Sequence, residues 1–358
     1  MATNLVEDAT VVTDDPNTEE FSQDLQQATD QDVIESSLVE GEMADIHDIR
    51  PLSPEMDELL SGFSPEKLQR KHLDWPVILW MIGIHLGCLV APFFFSWQAL
   101  GLTIFMHWLT CSVGICLGYH RYLSHRSMTL NKPANFFVTL CGVLAGEGDP
   151  LTWAANHRLH HQRSDLKGDP HSPFDGSWWS HILWTFVYRN PEQDERLFQR
   201  YIPDLANNSM YRFFHRTFGM WIIGAAVATT AAGYALGAWM GADALFMAGS
   251  FFFWAVCVRM ALAYHSTWFV NSATHLWGYR NYETNDKSKN LWWVALVAYG
   301  EGWHNNHHAH PRLAKAGHRW YEIDMTYWTI KLLQLTGMAT KVHNKLPEQQ
   351  TAANATES

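Results

Sequence analysis

Three histidine clusters are the residues of this sequence best fitted to do chemistry: His120-Arg-Tyr-Leu-Ser-His125, His157-Arg-Leu-His160-His161 and His304-Asn-Asn-His307-His308. Neutral imidazole is the commonest metal ligand in proteins. At about 100° per residue, positions i, i+3 and i+4 share a helix face, so His157, His160 and His161 converge, as do His304, His307 and His308. Positions 120 and 125 stand about 140° apart on a helix, so that segment either supplies ligands from two directions or unwinds. Zinc takes four ligands, so the eight imidazoles of these clusters imply two metal ions. An all-imidazole set suits iron, copper, nickel or zinc, and ligand softness does not choose among them.

The clusters must be carried by elements that the hydropathy pattern makes plain. Four runs are long enough to cross a bilayer as helices, at residues 76–95, 99–116, 218–239 and 242–264, with Asp243 at the start and Arg259 near the end the only charges in the last. The links Ser96-Trp97-Gln98 and Met240-Gly241 are so short that the runs form two hairpins. The fold class is therefore an all-α integral membrane protein of four transmembrane helices, with both termini and all three clusters on one face. No Lys or Arg occurs between Pro76 and Tyr119 or between Phe218 and Val258. By the positive-inside rule the shared face is cytoplasmic. The apolar stretches Asn135–Gly146 and Leu291–Gly300 are too short to span and read as helices packed beneath the histidine-bearing cap.

Apolar residues make up 47% and charged residues 17% of the chain, which excludes collagen-like, disulfide-scaffold and wholly disordered classes. The net charge of −11 averages two unlike parts. Residues 1–70 hold 18 of the 36 acidic residues against only Arg50, Lys67 and Arg70, and read as a disordered acidic tail, with residues 1–65 dispensable for insertion and activity. No charged start followed by a short apolar run and a cleavage site is present, so no secretory signal is expected. Residues 71–340 form the membrane domain and 341–358 a flexible C-terminal tail. The five cysteines lie in apolar stretches without a Cys-x-x-Cys pair and read as small core residues. No nucleic-acid partner is implied.

The three clusters, together with Asn271-Ser-Ala-Thr-His275 and Gly300-Glu-Gly-Trp-His304, resemble the membrane-bound fatty-acyl desaturases of the Δ9 type: the stearoyl-CoA desaturases and their cyanobacterial and bacterial acyl-lipid relatives. The resemblance runs from about Leu73 to about Leu335. It implies a four-span mushroom whose cytosolic helical cap holds a di-iron centre. Its ligands would match His120, His125, His157, His160, His161, His275, His304, His307 and His308, with Asn271 acting through water. Only the resemblance, and no spacing, picks out His275. It likewise implies a kinked acyl channel at Trp153, Thr267 and Trp268, closed at its far end by Trp108 and Ser112 of the second span. The remaining eleven histidines read as ordinary packing or surface residues. Acidic partners orient metal-binding imidazoles through their other nitrogen; Glu301, one turn before His304, and Asp165, one turn after His161, are the candidates.

Removing hydrogen from an unactivated carbon is beyond any side-chain acid or base, so such a reaction needs O2, two electrons and a metal–oxygen oxidant. The chain has no cytochrome b5-like segment, dinucleotide fingerprint or Cys-rich cluster motif, so a separate donor, a ferredoxin or a cytochrome b5, is expected. CoA-using members hold the nucleotide phosphates with basic residues; here Arg189 is followed by Glu192, Asp194 and Glu195, a poor phosphate cradle. A glycerolipid acyl chain is thereby favoured over acyl-CoA. The expected function is introduction of a cis double bond, Δ9, into a saturated acyl chain. The rival is a membrane di-iron hydroxylase of acyl chains or alkanes.

Overall fold

The computed structural model describes residues 58, 60 and 62–346. The first hairpin is α1 (Trp75–Phe94) and α2 (Trp97–Ser124), and both helices are long and apolar enough to cross a membrane. The first part of the cap follows as α3 (Lys132–Ala145), α4 (Pro150–Arg163) and α5 (Pro191–Tyr201). The second hairpin is α6 (Ser209–Met240) and α7 (Ala244–Leu276), again of membrane-spanning length and composition. Then come α8 (Trp292–Val297), α9 (His304–Ala309) and α10 (Met325–Leu335). A two-stranded antiparallel ribbon pairs β1 (Thr129–Leu130) with β2 (Ala339–Thr340). The short apolar stretches are indeed helices, α3 and α8.

The helices outrun the uncharged stretches that announced them. α2 continues eight residues past Cys116 and α7 twelve past Tyr264, while α6 begins at Ser209. A charge ends a hydrophobic run but not a helix, provided it finds partners. Arg259 is buried in α7 and donates to the carbonyls of Leu144 (2.8 Å) and Ala145 (3.3 Å), which end α3 and have no partner inside their own helix. Arg121 is buried in α2 between Glu301 and Asp324, 2.9 Å from each, and also donates to the Ala314 carbonyl. These extensions carry His120, Asn271 and His275 beyond the apolar layer.

α2 also winds more widely than an α-helix over Trp108–Ser124. The His125 amide bonds the His120 carbonyl, five residues back, at 3.2 Å. That winding brings the two rings to 4.9 Å, so the segment neither unwinds before His125 nor supplies from two directions. α3 lies tight against α2 because glycines remove the bulk between them. A Cβ on Gly114 would stand 2.4 Å from the backbone of Cys141 and Gly142, and one on Gly142 would stand 2.4 Å from the Tyr119 ring. α7 is the axis of the membrane part: its Val256, Cys257, Met260, Tyr264 and Trp268 pack with Met81 and Ile84 of α1 and Ile222 of α6.

Packed residues occur on the far side of two expected boundaries. The segment leading into α1 is not loose up to residue 70: Leu60 and Phe63 are buried, and Arg189 lies over the Phe63 ring. Nor does the ordered chain stop at 340, since His343 is bonded through its backbone to Ser127 and Ala314. The acidic stretch 1–57 and residues 347–358 lie outside the described residues. Deleting residues 1–57 is expected to leave the unfolding midpoint in detergent unchanged. Deleting 1–65 removes two buried apolar side chains worth about 1.5–3 kcal/mol each and should lower it by several degrees. Equal midpoints for the two truncations would contradict the docking of Leu60 and Phe63.

Candidate metal centre

The nine histidines separate into two groups. His120, His125, His157, His161 and His307 form one, and His160, His275, His304 and His308 the other; within each group the candidate ligand atoms lie within 4.8 Å of one another. Helix geometry divides each His-x-x-His-His repeat between the two. In α4 the outer pair His157 and His161 goes to the first group and His160 to the second. In α9 the outer pair His304 and His308 goes to the second and His307 to the first. Positions i and i+4 stay together, so convergence of all three on one point is replaced by a fan between two points.

Inner nitrogens meet across each group: Nε2 atoms are 3.0 Å apart for His120 and His307, 3.0 Å for His307 and His161, 2.7 Å for His125 and His157, and 3.0 Å for His304 and His275. Outer nitrogens meet acids. His120 Nδ1 is 2.8 Å from Glu301, His160 Nδ1 2.9 Å from Asp169, His275 Nδ1 2.9 Å from Asp165, and His308 Nδ1 2.6 Å from Asp286. Glu301 thus serves His120 of the first cluster, not the histidine one turn away, and Asp165 serves His275. Asp169 and Asp286 escaped sequence reasoning because each lies in a loop, at no helical spacing from its partner. The only available signal was an acid amid a basic cap.

The donor set suits a soft-to-borderline cation. Burial, reinforced by neighbouring imidazoles, pushes His125, His157, His160, His161, His304 and His307 well below the ordinary histidine range, so their rings are neutral and keep a lone pair. Nε2 of His160 and of His308 is buried with no hydrogen-bond partner, which suits a ligating nitrogen and not a packed one. Burial opposes the charges on Asp286 and Glu301. His308 outweighs it at Asp286, and Arg121 and His120 outweigh it at Glu301, so both carboxyls are held below the usual range.

Beside the groups is a void of about 30 Å³, lined by His120, His157, His160 and His304 together with Asn271, Trp153 and Thr267. Two of the three expected channel residues therefore reach it. The third, Trp268, is buried behind the wall, stacked on Tyr264 at 5.4 Å. Trp108 and Ser112 do not line this void. The Trp108 indole is 37% exposed on the outside of α2, and the Ser112 hydroxyl is buried against Thr326 at 3.2 Å. A further residue, Glu147, was missed: its carboxylate accepts from Thr267 Oγ1 at 2.9 Å and from Trp153, and burial pushes its pKa up to about 8.

Several of the other histidines are not isolated. His171 lies with its ring 4.3 Å from that of His160 and its Nδ1 3.8 Å from Asp169. His107 Nδ1 meets the Tyr299 hydroxyl at 2.7 Å. His318 bonds the Tyr282 hydroxyl and the Lys315 carbonyl. On the far side of α7, His85 Nδ1 meets the Met81 carbonyl (2.7 Å), His85 Nε2 meets His265 Nε2 (3.2 Å), His265 Nδ1 meets His181 Nε2 (3.0 Å), and His181 Nδ1 meets Ser272 Oγ (3.1 Å).

Comparison with known proteins decides the family. The family model described as Fatty acid desaturase matches residues 95–334. The chain belongs to the fatty acid desaturase family. It is 45% identical over 291 residues to the sn-2 palmitoyl-lipid 9-desaturase of Nostoc sp., an alignment covering 81% of this chain and 97% of the relative. It is 41% identical over 282 residues to the sn-1 stearoyl-lipid 9-desaturase of Synechocystis sp., covering 78% and 83%. It is 37% identical over 305 residues to an acyl-CoA 5-desaturase of Anemone leveillei, covering 82% and 89%. All three relatives are named desaturases, so this membrane protein is an oxidoreductase of that kind, and the hydroxylase reading is set aside.

For this desaturase, His161→Ala and His308→Ala are each expected to abolish turnover and lower the metal content by about half. Asp286→Asn should weaken metal affinity roughly 10- to 100-fold with the fold intact. His318→Ala should keep full metal content and lose only stability. Metal analysis of the four proteins checks this, and full metal in either first variant contradicts the grouping. The Glu147 carboxyl, its folded pKa raised above the ordinary 4.5, stabilises the fold fully below pH 4.5 and loses that contribution as pH rises through about 8. Glu147→Gln should therefore flatten the fall of the unfolding midpoint between pH 5 and 8, and an unchanged slope would show that the carboxyl is not the source.

Proposed function

We propose that this desaturase introduces a cis double bond, of Δ9 type, into a saturated acyl chain of a membrane glycerolipid, using O2 and two irons. The observation that carries the reading is the division of nine imidazoles into two buried groups around one void. The first iron would be held by His120, His125, His157, His161 and His307. The second would be held by His160, His275, His304 and His308, with Asn271 acting through water. When bound, the iron pair supplies the O2-derived oxidising power needed to take hydrogen from an unactivated carbon. The chain's own residues do the rest. Glu301, Asp169, Asp165 and Asp286 hold the rings in one orientation by accepting their outer N–H. Trp153 and Thr267, tied together through Glu147, form the wall that positions the reacting methylenes and excludes water.

Charge pairing supports the glycerolipid over acyl-CoA. Arg189 is bonded to Asp194 at 2.9 Å, Arg196 to Glu192 at 2.8 Å and Arg212 to Glu195 at 2.7 Å. These three arginines are thus answered by acids and present little charge to nucleotide phosphates. Two relatives named for lipid-bound chains agree with this, while a third is named for acyl-CoA. Even parity of four spans supports both termini and the cap lying on one side, and the absence of Lys and Arg from the opposite links supports that side being cytoplasmic. Electrons would come from a separate carrier, a ferredoxin or a cytochrome b5.

Expression in a host lacking its own desaturase, followed by mass-spectrometric location of new double bonds in each lipid class, tests the reading. A cis bond at carbon 9 in glycerolipids, with no label chased through added acyl-CoA, is the expected result. Double bonds formed only in acyl-CoA would overturn the head-group assignment, and hydroxylated chains would overturn the reaction.

A further inference from the structure

Within the membrane part, α1 and α6 both pack on α7 and leave an apolar slot of about 730 Å³ between them. Its lining residues recur along one face of each helix, from Leu79 to Ile84 on α1, Ile223 to Tyr234 on α6 and Ala248 to Cys257 on α7. Eleven steps along α6 make it about 17 Å long. At roughly 30 Å³ per water-sized group, that volume holds about twenty-four such groups, room enough for one acyl chain.

The slot asks for no polar partner: Thr230 Oγ1 donates to the Ala226 carbonyl at 2.8 Å, and Trp80 Nε1 to the Tyr264 hydroxyl at 3.0 Å. Its shape excludes a second helix. Close approach of helices in a membrane needs small residues at the rim. Here the exposed, bulky Leu79, Ile223 and Val227 stand at the mouth, and the buried Ile84, Val256 and Cys257 make the floor. A thin flexible chain passes such a mouth and a helix backbone does not. The floor is continuous with Tyr264 and Trp268 in one packed cluster, and Trp268 adjoins Thr267 at the void beside the histidines.

We propose that this slot binds an acyl chain of a membrane glycerolipid and, resting on the acyl-lipid reading above, that it seats the unreacting chain of a diacyl substrate whose other chain reaches the histidines. Gly83 opens directly into it, since a Cβ there would meet nothing within 4 Å, so Gly83→Phe fills the slot without disturbing helix packing. Gly101 of α2 is equally open and lies outside the slot, so Gly101→Phe is the control.

The holoenzyme in nanodiscs carrying phosphatidylcholine with a diazirine in one acyl chain is irradiated, and adducts are mapped by peptide mass spectrometry. Slot residues Gly83, Ala226 and Cys257 should be labelled several-fold above Ile104 and Phe105 on the outside of α2. Gly83→Phe should remove the excess and Gly101→Phe should keep it. Labelling no greater than at Ile104, or unchanged in Gly83→Phe, overturns the slot. So does a doubled mass with these residues buried between two copies and free of lipid adducts. For catalysis, Gly83→Phe should raise KM for a diacyl lipid several-fold with kcat kept, and leave a single-chain lysolipid unaffected; equal effects on both overturn the second-chain role. A wild-type enzyme that accepts only acyl-CoA overturns the glycerolipid reading, while the labelling still decides the slot.

Discussion

Each imidazole has two nitrogens, and the cap is organised around giving them different work. A ring can present one nitrogen inward only if the other is held, because a buried ring that is free to flip holds nothing in place. Four carboxylates do this holding directly, and they come from α4's trailing loop, the loop before α8 and the turn before α9. Those loops therefore have to be where they are. The acids are also unequally shared: three of the four histidines in the smaller group have a carboxylate, and one of the five in the larger, where Arg121 partly answers it.

Helices bring the rings to that arrangement by being longer and wider than the membrane requires. An ordinary α2 would leave His125 far round from His120, and its wide winding repairs the angle. The rest is anchored by single arginines. Arg121 joins α2 to α10 and to the turn before α9, while Arg158 donates to the carbonyls of Leu123 and Ser124 and to Asp204, so that α4 is registered on the end of α2. Removing Arg121 strands its carboxylate partners in a buried site, at a cost of about 3–5 kcal/mol.

How much of this could be read from the sequence follows from whether a feature is local. The four spans are local patterns and stand as four long apolar helices, whereas the i, i+3, i+4 repeats, equally local, divide between two groups where convergence on one face was expected. His275 carries no local signature and came only through family resemblance. Asp169 and Asp286 depend on how loops fold back, and nothing in their neighbours encodes it. Trp108 and Ser112 likewise came only through family resemblance, and neither lines the void beside the histidines. Leu60 and Phe63 look like strays in an acidic segment, and only the cap surface beside Gly168 gives Leu60 a seat.

The row of His85, His265 and His181 has a direction built into it. A carbonyl can only accept, so with all three rings neutral the Met81 oxygen fixes the His85 proton on Nδ1. Nε2 of His85 then accepts, which makes Nε2 of His265 the donor, leaves its Nδ1 to accept, and makes Nε2 of His181 the next donor. The choice made at one end thus sets every tautomer down the line, like a row of tiles that can fall only one way. At its far end Nδ1 of His181 and the Trp268 carbonyl compete for the one proton of the Ser272 hydroxyl, so the row ends in a rotor with two settings.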